Sequence, residues 1–127
     1  MGTWLTASGL SGFLAVALGA FGAHGLQARL ADAADGAKRL SWWQTAAHYH
    51  LMHAFGLAVV ALILARAPQA RFAGFGFVVG TLLFSGSLYV MALGGPRWLG
   101  AVTPFGGAAF LVGWGVLVCC GLALRNS

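Results

Sequence analysis

The chain has 127 residues, 60% of them hydrophobic and only 7% charged, with a mean hydropathy of +0.86. Soluble domains carry about a quarter charged residues, so this composition excludes an ordinary soluble domain and places the chain in a bilayer. The net charge of +5 rests on seven Lys and Arg against Asp32 and Asp35. Those cations stand at the ends of apolar segments, where they suit lipid headgroups and leave nucleic acid an unattractive partner. A spanning helix needs ~20 apolar residues, so four fit with short connections. The expected fold is therefore all-α, an integral-membrane four-helix bundle forming one domain over 1–127, with a short interfacial helix or linker between spans one and two.

The first span is expected over about 3–23. Ser11, Ala15, Gly19 and Ala23 recur every fourth position and make a flat stripe on which another helix can approach closely. A cleaved signal peptide is the competing reading, but no Lys or Arg precedes Arg29, so the segment lacks a basic leader and is expected to be retained. From His24 to Trp43 the chain turns polar. Leu26, Leu30 and Ala33 share one helical face, while Arg29, Asp32, Asp35, Lys38 and Arg39 supply opposite-charge pairs three and four apart.

Ser41 followed by Gln44 reads as a capping box, and Trp42 and Trp43 as interfacial anchors, which starts the second span near 43 and runs it to about 65. Arg66 to Arg71 is a basic turn around Pro68. The third span follows over about 72–93, with Gly76 and Gly80 giving a second close-packing face. Gly94-Gly95-Pro96 is another turn. Thr103-Pro104 then pairs an N-cap residue with a first-turn proline, so the fourth span is expected over about 104–124, with Leu99 to Val102 as an entry segment. Cys119 and Cys120 are neighbours in an apolar run and read as small buried hydrophobes, with no second pair to complete a metal site.

Antiparallel spans bring the 24–43 and 94–103 connections to one side of the membrane. His53 then lies about 13 Å in from Gln44, and Ser85 at a similar depth. His24, Gln44, Tyr49, His50, His53, Ser85, Tyr89 and Thr103 thus gather in one half of the bundle as a candidate polar pocket. Ionisable groups at membrane depth are costly and usually face the protein interior. His50 and His53 are about 60° apart on a helix and Tyr49 is about 40° from His53, whereas His48 turns about 140° away. Imidazole suits zinc, copper or haem iron, and His24, His50 and His53 are the candidate ligands, although no recognised metal motif is present. The same histidines also suit a purely structural role, bonding serine, threonine and backbone groups across helices.

Four stretches carry a resemblance. Gly19-Ala20-Phe21-Gly22-Ala23-His24-Gly25-Leu26, then Gln44-Thr45 with Tyr49-His50 and His53-Ala54, then Leu83-Phe84-Ser85-Gly86-Ser87-Leu88-Tyr89, then Thr103-Pro104-Phe105-Gly106-Gly107 with Phe110-Leu111 and Gly113-Trp114 resemble the YgdD-like membrane proteins. That family includes the eukaryotic transmembrane protein 256 and is a domain of unknown function. The resemblance implies a four-span protein of the bacterial inner membrane, or of mitochondria in eukaryotic relatives, with both termini cytoplasmic. It implies no catalytic role, and His48 lies outside its pattern. The count of basic residues is nearly balanced, with Arg66, Arg71 and Arg125 on the side of the termini and Arg29, Lys38, Arg39 and Arg97 on the other.

Catalysis is not expected, because a hydrolase needs an acid beside its base and the only carboxylates, Asp32 and Asp35, lie in a surface connection. A transporter would show internal repeats, and none is evident. The leading expectation is a structural or assembly component that associates with itself or with other membrane proteins and needs no cofactor. The alternative is a histidine-lined pocket for a haem, a transition metal or a small ligand.

Overall fold

The computed structural model describes residues 1–127 and contains helices and turns with no strand. Four helices are long and apolar enough to cross a membrane: α1 Gly2–Leu30, α2 Gly36–Ile63, α3 Ala70–Ala92 and α4 Arg97–Arg125. The chain is an all-helical, four-span membrane protein.

The helices run further than the apolar segments that announce them. α1 continues past Ala23 through a π-helical turn at Gly22–Leu26 and on to Leu30. Leu26 and Leu30 explain the extension, since both are strong helix formers and both bury against Trp43. α2 likewise starts at Gly36, ahead of the Trp pair. Ser41 is therefore no N-cap; its Oγ donates back to the Lys38 carbonyl at 2.7 Å inside the helix. The connection shrinks to 31–35, and Gly36 makes it possible, because any Cβ there would strike the Leu30 carbonyl. α4 opens with a 3₁₀ turn at Arg97–Ala101, so Thr103 is already helical and Pro104 sits in the first α-helical turn. Gly94, at φ +97°, turns the chain between α3 and α4.

α2 and α3 are the central helices. Half of the most apolar window of α2 and 39% of that of α3 are buried, against 11% for α1 and 17% for α4. α1 lies along α2, and α4 lies along α3. The small-residue stripes expected from the sequence make these two contacts. Ala15 is buried, Gly12 and Gly19 face Ala54 and Ala47 of α2, and Gly76 lies so close to α4 that a Cβ would come within 2.9 Å of the Ala109 carbonyl oxygen. Gly80 abuts the Phe110 ring, whereas Ala23 is exposed.

Apolar burial divides into two cores. One gathers Leu57, Val60, Ala73, Phe77, Phe110 and Cys120 toward the α2–α3 turn. The other joins Leu26, Leu30, Trp43 and Ala92 at the opposite end. Between them lies a band holding all the buried polar side chains, His50, His53, Ser85 and Ser87. Of the two free cysteines, Cys120 is buried in the first core and Cys119 is exposed.

At the end holding the second core, Asp35 ties the two connections together. It accepts from Arg97 at 2.7 Å and pairs with Arg39 at 3.7 Å, while Arg39 Nε donates to the Ala92 carbonyl at 2.9 Å. Arg97 and Lys38 both lie over the Trp42 ring, at 4.9 and 5.5 Å. Such a layer of charges and indole suits the headgroup level.

Candidate functional site

Hydrocarbon offers no water to a stray polar group, so every buried donor and acceptor in the band needs a partner from the chain. Most find one across a helix interface. Ser85 Oγ donates to the Ala46 carbonyl at 2.8 Å, joining α3 to α2. Ser8 Oγ donates to the Ala54 carbonyl at 2.8 Å and Trp43 Nε1 to the Leu18 carbonyl at 2.7 Å, joining α1 to α2. Thr103 and Ser87 share a hydrogen bond of 2.6 Å between α4 and α3, so Thr103 bridges helices instead of capping one. Each such bond contributes about 0.6 to 2 kcal/mol.

His53 is fully committed. It is 3% exposed, and its ring stacks on Phe110 at 3.5 Å between centroids with Phe77 close by. Its Nδ1 lies 2.6 Å from the Tyr49 carbonyl and its Nε2 3.1 Å from Trp114 Nε1. A carbonyl only accepts and an indole N–H only donates, so Nδ1 carries the proton and the Nε2 lone pair is taken. The imidazole is neutral, with no lone pair left for a metal. It borders a groove of about 510 Å³ between α2 and α4, edged by Tyr49 and Trp114.

His50 is buried but only half committed. At 7% exposure it forms one hydrogen bond, of 3.0 Å, between Nδ1 and the Tyr89 hydroxyl. Its Nε2 has no partner in the chain, and no buried polar side-chain atom is sealed away without one, so Nε2 is reachable. His50 lines a second groove, of about 400 Å³, walled by α1 and α3 over α2. Ala7, Leu14, Leu18, Leu57 and Val78 make most of that lining apolar; the Ser11 and Thr81 hydroxyls add polarity. The π-helical turn at Thr81–Ser85 forms part of the α3 wall. Such turns recur at functional sites, because the local change of winding re-aims side chains.

The eight residues expected in one chamber are thus distributed. His50 and Tyr89 meet at the α1–α3 groove. His53 and Tyr49 lie at the α2–α4 groove, their rings stacked at 6.1 Å. Ser85 and Thr103 are absorbed in separate interhelical bonds. Gln44 is exposed and borders a shallow cleft with His48, and His24 is exposed on the π-helical turn of α1. No three His, Cys, Asp or Glu side chains come together in a way that could hold a metal ion, so His24, His50 and His53 do not form a ligand set. The 60° between His50 and His53 is enough to send them to different neighbours.

Trp114 and Ser87 are the partners that sequence reasoning left unassigned. Trp114 enters the sequence reading only through the resemblance, although its indole N–H is a donor that seeks a partner. Its position four residues after Phe110, on the same helical face, was the available signal.

Comparison with known proteins agrees on family. A family model described as "Protein of unknown function (DUF423)" matches residues 18–107. The chain is 42% identical to the UPF0382 membrane protein SERP0230 of Staphylococcus epidermidis, over 93% of each chain. It is 40% identical to the UPF0382 membrane protein YwdK of Bacillus subtilis over 93% of this chain and 94% of that one. With the UPF0382 inner membrane protein YgdD of Escherichia coli the identity is 38%, over 92% of this chain and 87% of the relative. No solved structure matches.

Proposed function

Since the chain belongs to the DUF423 family of multi-pass membrane proteins, which is described as of unknown function, we propose from its own geometry that it binds a small lipid-soluble molecule in the groove between α1 and α3. One observation carries this reading: His50, buried at membrane depth with Nε2 unpartnered, lines that groove. An unmet hydrogen-bonding group in an apolar setting is costly, and an occupant with a polar end relieves the cost. The groove's volume falls within the usual range of small-molecule pockets, and its mostly apolar lining with a few polar groups suits such a ligand.

The site is proposed to bind and not to transform. Asp35 is held by Arg97 and Arg39, and no carboxylate or thiol stands beside His50 to complete a catalytic set. Association with itself or with other membrane proteins is the second reading, supported by the small buried share of α1 and α4. It comes second because Ala15, Gly19, Gly76 and Gly80, four of the six stripe residues that argued for it, pack within the chain. Following the name of the Escherichia coli relative, we place the protein in the inner membrane. We place both termini in the cytoplasm because Arg66 and Arg71 of the tight turn between α2 and α3 flank their spans directly.

Native mass spectrometry of protein extracted from its own membrane in mild detergent tests the proposal. The expected result is a stoichiometric small molecule that is absent from Gly86→Leu. Gly86 lines the groove, and a Cβ there meets nothing within 4 Å, so a leucine can start from that position without striking a neighbour and take up groove space. Discrete oligomers with an empty groove would favour the second reading.

A further inference from the structure

The depth and chemistry of the groove narrow the class of its occupant, a step that rests on the binding reading above. We infer that the occupant is an uncharged amphiphile whose carbonyl or hydroxyl oxygen meets the His50–Tyr89 pair, with its hydrocarbon lying along the groove toward Ala7 and Val78.

Depth excludes a charged head. Trp42 and the Asp35–Arg97 pair suit the headgroup level, and His50 lies eight residues beyond Trp42 on α2, about 12 Å deeper at ~1.5 Å per residue. No Lys, Arg, Asp or Glu lines the groove to compensate an ion there. An unpaired charge so far inside hydrocarbon costs several kcal/mol, whereas a carbonyl or hydroxyl needs only one or two hydrogen bonds.

The His50–Tyr89 pair supplies those bonds whichever way its shared proton lies. If the Tyr89 hydroxyl donates to Nδ1, then Nε2 carries a hydrogen and donates outward, while the phenol oxygen keeps an accepting lone pair. If Nδ1–H donates to the Tyr89 oxygen, the phenol hydrogen is free and Nε2 accepts. Both states present one donor and one acceptor. A carbonyl takes whichever of Nε2–H and the Tyr89 O–H is free to donate; a hydroxyl bonds to either group. The groove's length fits a chain attached to that oxygen, since Val78 and Tyr89 are about 16 Å apart along α3.

Binding of defined probes to the full-length protein in phosphatidylcholine nanodiscs tests this inference. Decylbenzoquinone supplies the carbonyl, dodecanol the hydroxyl, and dodecyl phosphate and dodecyltrimethylammonium supply charged heads on similar chains. The expected result is saturable binding of one or both neutral probes above empty discs, with neither charged probe bound. His50→Phe should weaken the neutral probe about fivefold to tenfold, as loss of one hydrogen bond implies, and Gly86→Leu should abolish its binding. Binding of quinone alone, of alcohol alone or of both identifies the source of the oxygen, and each supports the inference. Charged probes that bind as well as neutral ones, and are blocked by Gly86→Leu, would overturn the inference while leaving the groove as a binding site. Binding that Gly86→Leu leaves unchanged, or none at all, would remove the groove reading and this inference with it.

Discussion

His50 and His53 sit three residues apart on the same helix, are almost equally buried, and live in opposite chemical situations. His53 has both nitrogens engaged and its ring packed on Phe110, so it behaves as a polar core residue. His50 has one nitrogen engaged and one without a partner, and the residue lines a groove. Burial alone therefore does not distinguish a structural histidine from a functional one. The distinction lies in whether each lone pair and each proton has a partner.

Substitutions at the two sites should separate them, and the largest effect is expected at His53. His53→Ala removes a stacked ring and leaves the Trp114 N–H unmet, costing about 2 to 4 kcal/mol in unfolding followed by circular dichroism in detergent. His50→Ala should cost roughly half of that, because the void merges with the existing groove. Equal losses would erase the comparison. Trp114→Phe strips the donor from the buried Nε2 and should cost about 1 to 2 kcal/mol. Tyr89→Phe removes the only partner of a nitrogen on a ring that is already half open, so about 0.5 to 1 kcal/mol is expected, with a clear loss in neutral-probe binding. The smallest effect falls at Gly86→Ala. There the added methyl meets open space, and helix propensity should raise stability by up to about 1 kcal/mol while reducing groove occupancy.

The four spans were legible because apolar runs of about 20 residues have few alternatives, and the turns at Pro68 and Gly94-Gly95 were marked by their own chemistry. Helix ends were less legible. Leu26 and Leu30 extend α1 into a core shared with Trp43 and Ala92 of other helices. Ser41 carried a capping pattern but lies within a helix already under way from Gly36. For the candidate site, composition and periodicity identified the residues and their shared depth. They did not reveal partnership. Nothing local to 49–53 shows that Trp114 reaches His53 from α4, or that Gly12 and Gly19 of α1 lie against Ala54 and Ala47 of α2. Those pairings are set by how the helices are rotated against one another, which hydropathy does not encode.

Nitrogen-15 spectroscopy of the imidazole rings in bilayers, with and without decylbenzoquinone, tests the central contrast most directly. His53 should show a single neutral tautomer protonated at Nδ1, unaltered by the probe, while the His50 nitrogens shift as the probe saturates. A His53 signal that moves with the probe, or a His50 signal that ignores it, would contradict the account.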